Sequence, residues 1–291
     1  MSKMAQRLLI FFLGLPAIVA IVLCLPHYRH LAFNVLTVIF SALGAAEFSV
    51  LLSQKKLHIS RTEAAFLGAL PPAAMLLTVC FDFHGLMVSA ITATAVSWLL
   101  VSRVFSKGDR LETSLNRLVA GIAVLMYPGM MMVWLVRMSQ WEANAHIIIL
   151  VFLCSVFLSD SAAWAVGMLF GRGNQGIVAV SPNKSVAGFI GGIITPTLIG
   201  MGAAMIYTEA FIPDRGFLTG NAPVSGALLG LMTGIAAALG DLAESAIKRS
   251  SGIKDSGNLI PGRGGVLDSI DSIVLAAPVF YIAFRLLFAQ P

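Results

Sequence analysis

The chain has 291 residues, of which 58% are hydrophobic and only 11% charged, and it carries a formal net charge of +5. Its mean hydropathy of +0.89 lies well outside the range of soluble domains. The composition therefore excludes a soluble enzyme and a disordered tail and points to an integral membrane protein, with nucleic acid no expected partner for the positive charge.

A span of about 20 apolar residues crosses roughly 30 Å of hydrocarbon. On that measure the sequence predicts about nine helices, near 8–26, 31–53, 64–81, 85–102, 118–136, 146–170, 188–207, 225–247 and 272–288. The expected fold class is all-α and polytopic. The first segment follows Lys3 and Arg7 as a signal peptide would, but its length and the lack of a small-residue cleavage site predict a retained span. Alternate connections then hold 15 of the 19 Lys and Arg residues, and the other side keeps Arg29, Arg137, Arg215 and Arg285. This asymmetry predicts a cytoplasmic N-terminus and an external C-terminus.

Cys24, Cys80 and Cys154 all fall in apolar segments and read as small buried hydrophobes, without metal-ligand spacing. Residues 1–145 read as a transmembrane scaffold with possible dimer contacts, and residues 146–291 as the functional region. Glu47, near the end of the second span, is expected to reach the membrane interface. The second region instead places Asp160, Asp241 and Glu244 within or at the ends of spans. A charge at such depth costs about 2.5–3.5 kcal/mol on insertion scales and is a functional candidate by default.

The charge peaks in SAIKRSSGIKDSGNLIPGRGGVLDSID, Ser245 to Asp271. Asp241, Glu244 and Lys248 share one helix face at i, i+3 and i+7, and Asp268 and Asp271 stand at i and i+3. Between them runs a Gly-, Ser- and Pro-rich loop with Lys254 and Asp255. Carboxylates suit Mg²⁺, a hard cation that binds few protein oxygens and shares substrate phosphates. Lys and Arg suit the remaining phosphate charge, and backbone amides exposed by the loop's glycines suit a phosphate nest. The same spacing also fits helix-end ion pairs beside a solvated loop. Upstream, Ser181 is expected to cap the next helix, whose N-terminus, with Lys184, could face an anionic group.

This stretch resembles the signature of the phosphatidate cytidylyltransferases, or CDP-diacylglycerol synthases. That signature is a Ser-x-x-Lys-Arg pair, then Lys-Asp, Pro-Gly-His-Gly-Gly and Asp-Arg-x-Asp. Ser245, Lys248, Arg249, Lys254, Asp255, Pro261, Gly262, Gly264, Gly265, Asp268 and Asp271 follow it in order and spacing. Asp241 and Glu244 match its Gly-Asp-x-x-Glu lead-in. The upstream stretch from Asp160 is similar to the family's Asp-x-x-Ala-Tyr, Phe-Gly and Ser-Pro-x-Lys-Thr-x-Glu-Gly pattern, with Trp164 for Tyr and Ser185 for Thr. The resemblance covers roughly residues 155–285.

The resemblance implies a reaction of CTP with phosphatidic acid that gives CDP-diacylglycerol and pyrophosphate, in a multi-pass protein of the inner membrane whose site faces the cytoplasm. It implies Mg²⁺, with a second cation as an extension, on Asp241, Asp268, Asp271 and Glu244. Lys248, Arg249, Lys254, Asp255 and Arg263 become the catalytic set, and Lys184, Ser181, Asp160, Gly264 and Gly265 the substrate-binding set. The lipid bilayer and a homodimer partner are also implied.

Three positions depart from the family: Arg263 for His, Ser269 for Arg and Ala187 for Glu. Arg263 stays protonated at working pH and cannot transfer a proton as imidazole does. These departures motivate an alternative, a catalytically impaired member that binds nucleotide or lipid or serves assembly. An ion-coupled transporter is the other competing class, against which the crowding of ions into one half argues.

Overall fold

The computed structural model describes residues 3–105, 107–141, 144–176, 178–213, 220–262 and 264–288. Each predicted span is a helix there: α1 (Lys3–Cys24), α2 (His27–Ser53), α3 (Arg61–Phe81), α4 (Met87–Val101), α5 (Ser114–Gln140), α6 (Ala145–Phe170), α7 (Val186–Ile206), α8 (Ala222–Ser250) and α9 (Leu267–Leu287). The only β pairing among the described residues is in isolated bridges. Among the described residues, seven helices, α2, α3 and α5 to α9, are long and apolar enough to cross a membrane. Helix α4 has 15 residues, fewer than the roughly 20 that a full span requires. The chain is thus an all-α, polytopic membrane protein.

Helix α5 is irregular where Pro128 removes a backbone donor. It is α-helical to Val124, π-helical over Leu125–Met130 and α-helical again from Met131.

The residues group into two compact units, Met1–Gln140 with Ile247–Ile270, and Trp141–Ala246 with Asp271–Pro291. The signature loop therefore groups with the N-terminal helices.

In the first unit, α2 and α3 pack through small residues. The Ser41 hydroxyl donates to the Gly68 carbonyl at 2.7 Å, and a side chain at Gly68 would overlap Ala45. Close backbone approach of this kind is how helices associate in lipid, where apolar burial alone gives little preference. Ion pairs fasten both ends of the bundle. At one end Arg117 of α5 pairs with Glu63 of α3 and donates to Ser102, after α4, at 2.7 Å. At the other, Arg29 pairs with Asp82, just after α3, at 2.6 Å. Ser60 caps α3 by accepting the Glu63 amide at 3.2 Å.

In the second unit, glycines again set the helix spacing. Side chains at Gly200, Gly226 and Gly230 would overlap the facing backbone of α7 or α8. Ser159 of α6 donates to the Gly192 carbonyl of α7 at 2.6 Å. The far end is aromatic: Trp141 stacks on Tyr281 at 4.8 Å, and Phe211 meets Phe284 edge-on at 5.5 Å.

Candidate active site

The loop between α8 and α9 is built around one carboxylate. Asp268, in the first turn of α9, receives the Lys248 ammonium on Oδ1 at 2.7 Å. Its Oδ2 accepts the amides of Ser256 at 2.9 Å and Gly265 at 2.7 Å. The carboxylate side chain is 5% exposed and the Lys248 side chain 15%. A tight turn closes the loop, with Ile260 and Gly264 exchanging amide-to-carbonyl bonds at 2.8 and 3.0 Å. Glycine is required at Gly262 and Gly264, where φ is +76 and +113.

The expected nest is filled from within. The Gly264 amide goes to Ile260 and the Gly265 amide to Asp268, because the turn and the start of α9 need both donors. Ser269, where the family has Arg, donates its hydroxyl to the Gly265 carbonyl at 3.2 Å. Arg249, Lys254 and Asp255 are exposed, and Arg263 lies outside the described residues, as does Arg215.

Sequence reasoning missed Glu47. Rather than simply reaching toward the interface, its carboxylate accepts the Ser256 hydroxyl at 2.9 Å and the amides of Val266 at 3.0 Å and Leu267 at 2.8 Å. It satisfies orphan donors at the start of α9 and places negative charge at the positive end of that helix. The available signal was an ionisable residue lying about 9 Å inside the end of an apolar helix.

The second unit holds another Lys–Asp pair. Lys184, in the loop before α7, pairs with Asp241 of α8 and lies 5.7 Å over the Phe189 ring. These side chains are 28% and 32% exposed. The cap of α7 is Ser185, which accepts the Gly188 amide at 3.1 Å, whereas the Ser181 carbonyl accepts the Lys184 amide in the preceding turn. The expected cap at Ser181 is thus one turn too early. Asp160 accepts the Ser272 hydroxyl at 3.4 Å, Asp271 is nearly buried and Glu244 is fully buried.

Among the described residues, no three of His, Cys, Asp and Glu gather as a metal cluster. Carboxylate oxygens nonetheless fit a hard cation, and the two paired aspartates fit it differently. Asp268 already receives an ammonium and two amides, whereas Asp241 is more exposed and paired with a partly exposed Lys that a ligand could displace.

The chain is an all-helical membrane protein with a Lys–Asp pair in each unit and a glycine-rich connection ahead of α9. The chain belongs to the Cytidylyltransferase family, whose profile matches residues 5–287. It is 40% identical over 135 residues to the phosphatidate cytidylyltransferase of Mycobacterium bovis, a match covering 46% of this chain and 40% of that one. It is 39% identical over 143 residues to that of Synechocystis, covering 49% and 44%. It is 42% identical over 127 residues to that of Haemophilus influenzae, covering 43% and 41%. The matched stretch spans about two fifths of the length of these relatives.

Proposed function

We propose that the chain is a phosphatidate cytidylyltransferase, converting CTP and phosphatidic acid to CDP-diacylglycerol and pyrophosphate. A lipid phosphate oxygen attacks the α-phosphorus of CTP, and the bond from that phosphorus to the pyrophosphate oxygen breaks. The nucleophile is anionic near neutral pH, so no strong base is required of Arg263. The work left to the protein is alignment and charge stabilisation. Lys184, Lys248, Arg249 and Lys254 hold phosphate groups, and Asp160 orders the pocket. Mg²⁺ on Asp241, Asp268, Asp271 and Glu244 would neutralise charge on the triphosphate.

The observation that carries this reading is the signature loop, in which Asp268 fixes Lys248 and two loop amides in a largely buried arrangement. We further propose an inner-membrane location, a cytoplasmic N-terminus and site, an external C-terminus and a homodimer.

The test is conversion of labelled CTP to a lipid-soluble product by purified protein and phosphatidic acid, with and without Mg²⁺, against Asp268→Ala. Metal-dependent product that vanishes in the variant supports the enzyme. CTP binding without turnover would replace this reading with an impaired, binding member.

A further inference from the structure

We propose that Glu47 is a positioning residue for the transfer, holding the signature loop so that Asp268 and Lys248 keep their geometry; this inference rests on the function proposed above. The connection is continuous. Glu47 Oε2 accepts the Ser256 hydroxyl, whose oxygen in turn accepts the Asp268 amide at 3.3 Å. The Ser256 amide donates to Asp268 Oδ2, and Asp268 Oδ1 receives Lys248. Ser256 therefore stands between two carboxylates and answers to both. Glu47 also fixes the entry to α9 through the amides of Val266 and Leu267, which immediately precede the carboxylate that meets Lys248.

Two glycines support the same assignment. A Cβ at Gly257 would overlap Oε1 of Glu47, and one at Gly265 would overlap Oε2 and the Ser256 hydroxyl. The loop thus lacks side chains where the Glu47 carboxylate must approach its backbone. Glu47 lies 209 residues from Ser256 and 220 from Leu267, so its hold on the loop is tertiary. An apolar helix accepts a carboxylate at that depth only if the charge is matched by donors, and the loop supplies them.

Glu47→Gln tests the proposal. Its amide has one acceptor oxygen for three donors, and its NH₂ must face either the Val266 amide or the Leu267–Ser256 side. We expect kcat/KM for CTP to fall about 10–100-fold, as for partners that orient functional groups, while the unfolding temperature moves little. Hydrogen exchange should accelerate over residues 256–267 and stay at wild-type rates in α2 and α3. Wild-type kinetics, or acceleration spread evenly over the first unit, overturns the proposal. If Glu47→Gln does not fold, Ser256→Ala removes only the hydroxyl bridge and carries the same expectations. If the wild type itself makes no lipid product, the function falls separately, and exchange over 256–267 still decides whether Glu47 holds the loop.

Discussion

The two Lys–Asp pairs are chemically identical and built for different tasks. Lys248 and Asp268 are 15% and 5% exposed, and Asp268 carries two further amide bonds. Lys184 and Asp241 are 28% and 32% exposed, with the ammonium resting over Phe189. A desolvated pair that also organises backbone is part of the fold, and removing one partner strands the other. A solvated pair is held weakly and can exchange its partner for a ligand. The difference teaches that carboxylates of one signature can be held differently: Asp268 is tied to the loop by an ammonium and two amides, whereas Asp241 is more open to solvent.

Asp268→Ala should show the largest effect and the sharpest contrast. It leaves Lys248 without its carboxylate and two amides without their acceptor, so product should fall below detection and stability should drop by about 3–5 kcal/mol. Denaturant unfolding and the labelled-CTP assay read the two losses separately. Wild-type stability would break the comparison by showing that the buried pair organises nothing.

Chelation with EDTA comes next. Turnover should disappear and return with Mg²⁺, while the unfolding midpoint stays nearly constant, because Lys184 and Lys248 offset the charges of Asp241 and Asp268. A large loss of stability on chelation would instead make the cation a structural element of the bundle.

Asp241→Asn is the counterpart of the first variant. Activity should drop about 10–100-fold, yet stability should change by only about 0–1 kcal/mol, as expected for a solvated pair. Equal destabilisation by Asp241→Asn and Asp268→Ala would erase the distinction between the pairs.

The helices were legible because spanning a bilayer demands long apolar runs, and nine such windows match α1 to α9 to within several residues at each end. The ion-pair chemistry of the loop was legible as a set of residue types at helical spacing. Its wiring was not. Lys248 meets Asp268 across 20 residues and Lys184 meets Asp241 across 57, distances over which periodicity carries no information. Glu47 was harder still: its charge stood out in an apolar helix, but its partners lie more than 200 residues away. The same limit explains why the signature loop was expected with the C-terminal region, although Ile247–Ile270 groups with the N-terminal helices.

The smallest effect concerns the cap beside the solvated pair. Ser181 is the serine expected to cap α7, but it is Ser185 whose extended backbone, ψ 155, turns its hydroxyl onto the Gly188 amide. Ser185→Ala should cost about 1 kcal/mol, the usual value for a lost N-cap, whereas Ser181→Ala should leave stability unchanged. Crowding sharpens the expectation, since a Cβ at Gly171 would lie 2.6 Å from the Ser185 oxygen, so the hydroxyl fills a close-packed place as well as bonding the helix. Both serines flank Lys184, and a lost cap would loosen the helix start behind it without touching the buried pair. Ser185→Ala should therefore affect CTP binding more than it affects unfolding of the first unit, while Ser181→Ala changes binding alone. A stability loss from Ser181→Ala would return the cap to the earlier serine.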